Sequence, residues 1–175
     1  MGLILYQVPM VEQGDNPICW VACAAMILSY KRSASVTIAS LIGTDPSFAS
    51  VDDPARSWAE TQTYLNSWGI ACETQTSSPT SDYIEQRLES FGPLIFCHSS
   101  EGFPYDSRFP AYACSGLLPP DASHAIVLTG INTDDNTIAF KNPWGDVGIV
   151  STDIVLEAIS TLGVDPATFP LAYCR

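Results

Sequence analysis

The sequence predicts an α+β domain in which helices come first and an antiparallel sheet follows. Three observations carry that prediction. The stretch from Ile18 to about Arg32 is nearly all apolar or small. Three further segments before residue 92 read as helices. Beyond residue 123 the chain turns to short apolar runs separated by polar turns. A length of 175 residues suits one domain, 1–175, because chains of this size bury a single core. We expect a helical lobe over about 11–92 and a sheet lobe over about 93–175 joined by the N-terminal strand.

Leu3 to Met10 alternates loosely and predicts a short strand. Gln13-Gly14-Asp15-Asn16-Pro17 is dense in turn formers. Pro17 suits the first turn of a helix, with Asn16 as its cap. The helix that follows is apolar on every side and so is expected to be buried. Lys31 and Arg32 complement the dipole at its C-terminal end. Thr37 to Ile42 predicts a short helix stopped by Gly43. Ala55 to Trp68 predicts another, ending at Gly69, and Ile70 to Thr74 a strand. Asp82 with Glu85 reads as a capping pair for a helix reaching about Phe91.

Gly92-Pro93 stops that helix, and Leu94 to Cys97 reads as a buried strand. The stretch from His98 to about Pro120 has little periodicity, and a loop of that length is usually functional. Ala125 to Leu128, the polar turn Asn132 to Asn136 and Thr137 to Phe140 read as a hairpin. Asn142 to Asp146 is a turn, Val147 to Val150 a strand, and Thr152 caps a closing helix over Ile154 to Leu162.

Charge narrows the function. Seven basic against nineteen acidic residues leave −12. That argues against nucleic acid, which is bound by cations that displace counterions, and against anionic membrane surfaces. No run reaches the roughly 18 apolar residues of a membrane span, and no signal peptide is recognisable at the N-terminus. The expected location is the cytoplasm, or a target cell reached through a specialised secretion system.

Six cysteines are present: Cys19, Cys23, Cys72, Cys97, Cys114 and Cys174. Their spacing is irregular and no Cys-x-x-Cys occurs. Only His98 and His124 could complete a zinc site, so no metal is expected. Five cysteines read as free, mostly buried thiols.

Cys19 differs, because it opens the buried helix. Aligned peptide dipoles and unpaired N–H groups at a helix start favour the thiolate. A thiol there beside a histidinium is expected to ionise below the roughly 8.5 of free cysteine, and a thiolate is the nucleophile of acyl transfer. His124, in Ser123-His124-Ala125, begins a strand. Asn142, in Asn142-Pro143-Trp144-Gly145, follows the strand paired to it, so its amide oxygen is within reach of the far ring N–H and fixes the tautomer. Gln13 lies six residues before Cys19. Its side-chain N–H and the Cys19 backbone N–H are the candidate oxyanion donors. Trp20, Trp144 and Ser123 are assigned to the substrate-binding walls. Trp144 reads equally as core or as a cover over the Asn142–His124 bond.

This pattern resembles the papain-like cysteine peptidases. Gln13, Cys19 with Trp20, His124, and Asn142 followed by Pro143-Trp144-Gly145 stand in that family's order. The resemblance implies a papain-like fold, with the nucleophile at a helix N-terminus packed on a C-terminal antiparallel sheet. The middle of the chain, roughly 33–121, has no counterpart. Asn16-Pro17-Ile18 replaces the family's upstream Cys-Gly, so that disulfide is not expected. His124 is also closer to Cys19 than the roughly 130–150 residues of plant and lysosomal enzymes. The size, and the expected lack of a propeptide, resemble compact bacterial effector or toxin proteases. A secondary similarity is to bacteriocin-leader-processing peptidases, whose third member is usually Asp rather than Asn.

The resemblance implies a cysteine endopeptidase acting on a protein substrate through Cys19, His124, Asn142 and Gln13, without a metal or organic cofactor. The alternatives are the same acyl-enzyme chemistry used as deamidase, transglutaminase or deubiquitinase-like isopeptidase, and a catalytically silent binding module. A protease of this kind is expected to have an inhibitory or immunity protein over the cleft, contacting the aromatic-rich loop Phe103 to Tyr112.

Overall fold

The computed structural model describes residues 2–14, 18–43, 45, 48, 58–75, 80–99, 123–160 and 169–175. Along them run β1 (Leu3–Leu5), α1 (Cys19–Arg32), α2 (Ile38–Ile42), α3 (Trp58–Ser67), β2 (Ile70–Gln75) and α4 (Ser81–Phe91). Then come β3 (Leu94–Ser99), β4 (Ser123–Asn132), β5 (Thr137–Lys141), β6 (Val147–Ser151), α5 (Thr152–Ser160) and β7 (Phe169–Cys174). Asn16, Pro17, Cys114 and the 103–112 stretch lie outside the described residues.

The strands form one antiparallel sheet in the order β2–β7–β3–β4–β5–β6, with β1 on the far end of β4. Successive residues of β3 and β4 face opposite ways. Ile95 and Val127 pack with Val21, Met26 and Ile27 of α1. Phe96 and Ile126 pack with Ile84 and Leu88 of α4 and Val155 of α5. Burial on both faces explains why Leu94–Phe96 and Ala125–Leu128 are unbroken apolar runs rather than alternating ones.

Helix α1 is buried from Trp20 through Ser29, as its all-apolar surface requires. Each large side chain taken from water there contributes about 1.5–3 kcal/mol. The helix closes at Ser33, in the left-handed conformation, and the Ser29 hydroxyl bonds the Val36 backbone at 2.9 Å. The expected Asn16 cap is not what starts this helix. Its N-cap is Ile18, whose side chain makes no capping hydrogen bond.

Two other expectations are corrected. Helix α4 is capped by Thr80, whose hydroxyl accepts from the Tyr83 N–H at 3.2 Å; Asp82 sits inside the first turn instead. Thr80 wins because its extended backbone aims the hydroxyl at that N–H. The N-terminal strand stops at Leu5; beyond it the Tyr6 N–H donates to the Thr129 carbonyl at 2.8 Å and the Val8 N–H to the Tyr6 carbonyl at 3.1 Å. Gly130 permits this close approach, since a Cβ there would lie 2.3 Å from the Ile4 carbonyl oxygen. Among the described residues no helix is long and apolar enough to cross a membrane.

Candidate active site

The site forms where the start of α1 meets the first residues of β4. Ile18 caps α1 with no side-chain acceptor, and the first turn has no acidic residue. The Ile18 carbonyl takes the N–H groups of Val21 and Ala22 at 3.0 and 3.1 Å. The earlier N–H groups of Cys19 and Trp20 precede the helical ladder, and both act on the Cys19 thiol, as does the N–H of Ala125. Ala125 is the residue after His124, so the sulfur and the imidazole belong to adjoining pieces of backbone.

The protonation balance is opposite to the one expected from the helix dipole. Burial pushes the Cys19 thiol up, and the three N–H groups offset that only in part. Burial also holds His124 down at about 4, against a smaller upward pull from Asn142. Burial thus disfavours the charged form of each group. Cys19 itself keeps part of its surface in solvent.

His124 is 2% exposed, and its Nε2 lies 3.0 Å from Asn142 Oδ1. The same oxygen accepts the Trp144 backbone N–H at 3.3 Å, which fixes the amide orientation. An oxygen only accepts, so Nε2 carries the ring hydrogen and Nδ1 the lone pair. Asn142 is fully buried. It is held by its N–H to the Asp146 carbonyl at 2.8 Å and its carbonyl to the Gly145 N–H at 3.0 Å. The Trp144 ring lies 5.0 Å from the His124 ring at 44°, over the imidazole.

Gln13 is buried and tied to this turn by its backbone N–H on the Pro143 carbonyl at 2.8 Å. The turn that orients His124 thus also anchors the segment leading into α1. Trp20 points elsewhere. It stacks on Trp68 at 5.6 Å and 16° and packs against Phe48 and Tyr64, which seats the start of α1. Ser123 pairs with Ser99 through backbone, and its side chain lies outside the described residues. Sequence reasoning missed the Ala125 N–H and the Pro143 carbonyl. The signal for the first was the small residue after His124, which lets α1 come close.

Among the described residues no group of three or more His, Cys, Asp or Glu side chains could hold a metal. The free cysteines Cys23, Cys72, Cys97 and Cys174 all have their thiols raised by burial. They lack the three-way N–H environment of Cys19.

A family model described as the papain-like cysteine protease AvrRpt2 matches residues 3–151. The fold is similar to a putative C39-like peptidase from Bacillus anthracis, at TM-score 0.63 and 14% identity over 100% of this chain and 98% of that one. It is similar to a double glycine motif protease from an AMS/PCAT transporter, solved with its leader peptide, at TM-score 0.53 and 12% identity, covering 100% and 99%. The peptidase domain of Streptococcus ComA matches at TM-score 0.52 and 14% identity, covering 97% and 99%.

Proposed function

The chain belongs to the papain-like cysteine protease family of AvrRpt2, and from that membership we propose that Cys19, His124, Asn142 and Gln13 carry out peptide-bond hydrolysis. The observation that carries this assignment is the 3.0 Å contact of His124 Nε2 with Asn142 Oδ1, in a ring whose neighbour Ala125 turns its N–H on the Cys19 thiol.

In the proposed reaction the Cys19 proton moves to His124 Nδ1 as the sulfur attacks the substrate carbonyl. The imidazolium is then held by Asn142 Oδ1. The oxyanion takes hydrogen bonds from the Cys19 backbone N–H and the Gln13 side chain. His124 gives its proton to the leaving amine, then activates the water that frees the acyl group and restores the thiol. Trp144 covers the ring and Trp20 holds α1 in place, so in this reading Trp20 is a positioning residue and Trp144 borders the substrate.

Deamidation, transglutamination and isopeptide cleavage share this acyl-enzyme. Incubation of wild type and Cys19→Ala with candidate proteins separates them by intact mass. Fragments made only by wild type support proteolysis; the small mass gain of deamidation without fragments overturns it. No product from either protein would support a silent binding module. The role of effector or toxin delivered into another cell, and an inhibitory protein over the cleft, are supported by the sequence resemblance alone. Toxicity inside a recipient cell that disappears in Cys19→Ala tests the first.

A further inference from the structure

Strand β6 ends the sheet, and among the described residues nothing pairs with its outer edge. Natural edge strands are usually blunted by Lys, Pro, bulges or inward charge. This one reads Val147-Gly148-Ile149-Val150-Ser151, with none of these. Val147 is 64% and Ile149 69% exposed.

The register shows that the exposure is organised. Ile149 pairs with Ala139, Ala139 with Gly130, and Gly130 with Leu5. Directly paired residues share a sheet face, so Leu5, Ala139 and Ile149 form one row, with Leu3 and Val147 two residues along on the same face. Among the described residues Leu3, Leu5, Val147 and Ile149 are the large apolar ones left exposed, and all four fall on this face. Helix α1 covers it only as far as Val127, the partner of Lys141. On the opposite face the Phe140 ring lies where a Gly148 Cβ would be, at 2.6 Å, which fixes the β6 backbone. Strand β6 also follows directly on the turn that holds Asn142 and Trp144.

Charge selects the occupant. Asp146 precedes β6 and Asp153 follows it, Glu12 lies against Gly145, and Asp134 and Asp135 form the β4–β5 turn. Lys141, paired with Val147, stands on this face among the described residues. A second copy paired antiparallel on β6 would bring Asp146 close to the other copy's Asp153, in a chain of −12. A strand with Lys or Arg outside an apolar centre meets no such repulsion.

We propose that β6 adds a strand from the protein substrate: an extended segment with apolar side chains at alternate positions and basic residues at its ends. Val147 and Ile149, at the β6 edge of this face, receive the apolar side chains, and the carboxylates at both ends of β6 receive the basic ones. The purpose, presenting substrate to Cys19, rests on the protease reading; the binding does not.

The test is fluorescence anisotropy with Cys19→Ala protein and a labelled peptide, Lys-Lys-Val-Thr-Ile-Thr-Val-Lys-Lys. Saturable binding is expected, weakened by about tenfold or more when Val147→Glu and Ile149→Glu are combined, or when Glu replaces the peptide's lysines. Both side chains are largely exposed, so the double variant keeps its fold, checked by an unchanged thermal midpoint. No saturable binding, or binding indifferent to these changes, overturns the proposal. A dimer in sedimentation that the double variant dissolves also overturns it, in favour of a second copy. Binding as expected by a protein whose wild type cleaves nothing upholds the docking strand and removes the protease reading.

Discussion

Asn142 Oδ1 sits 3.0 Å from His124 Nε2 and also takes the Trp144 N–H, so one buried oxygen sets the orientation and tautomer of the ring. When the ring becomes charged during the reaction, that hydrogen bond is to an ion, worth about 1.5–3 kcal/mol.

Asn142→Ala should therefore lower kcat by about tenfold to a hundredfold. KM for a short peptide should move little, because Asn142 is buried behind the ring. Steady-state kinetics check this; an unchanged kcat would show that packing by Trp144 alone orients the imidazole.

Gln13→Ala removes a proposed oxyanion donor. The expected loss is about 10²–10³ in kcat. Its backbone anchor on Pro143 survives the substitution, so circular dichroism should be unchanged. A loss confined to KM would assign Gln13 to substrate binding instead.

Acid should weaken the fold through His124. The folded ring holds its proton only below about 4, against an ordinary value of 6.5. The unfolded chain gains a proton first as pH falls, so this contribution is full above 6.5 and is lost between there and about 4. The gap corresponds to about 3 kcal/mol. Urea midpoints should fall more steeply over that range in wild type than in His124→Gln. Parallel slopes would mean that the ring is not buried in its neutral form.

Gly130→Ala tests the path from β1 to the site. Its Cβ would meet the Ile4 carbonyl oxygen and the Leu5 Cα, which are backbone and cannot swing aside. A cost of about 1–3 kcal/mol is expected, read as a lower thermal midpoint. No change would mean that β1 docks more loosely than its register implies.

Much of this was legible in the sequence, for identifiable reasons. The all-apolar run after Ile18 could only be a buried helix, and Asn142 could only end a strand beside His124 because a short hairpin joins them. Strand β7 was not read, although it lies inside the sheet between β2 and β3. Pro170 argues against an interior strand. The structure accommodates it by ending the β3–β7 ladder at Leu171, so that Pro170 pairs with Thr74 alone. The ionisation of Cys19 was misread because the helix dipole is visible in sequence order while the burial that outweighs it comes from strands far along the chain. The start of α1 was placed too early because Asn16 and Pro17 are ideal local signals, yet the ladder begins at Ile18.

The most direct test is mass mapping after brief treatment with a peptidyl epoxide, in wild type and in His124→Ala. One adduct on Cys19 is predicted in wild type, with the other five cysteines unmodified and the adduct lost in the variant. Adducts spread across the six thiols, or a Cys19 adduct that forms equally fast without the imidazole, would contradict a nucleophile made by the meeting of these two residues.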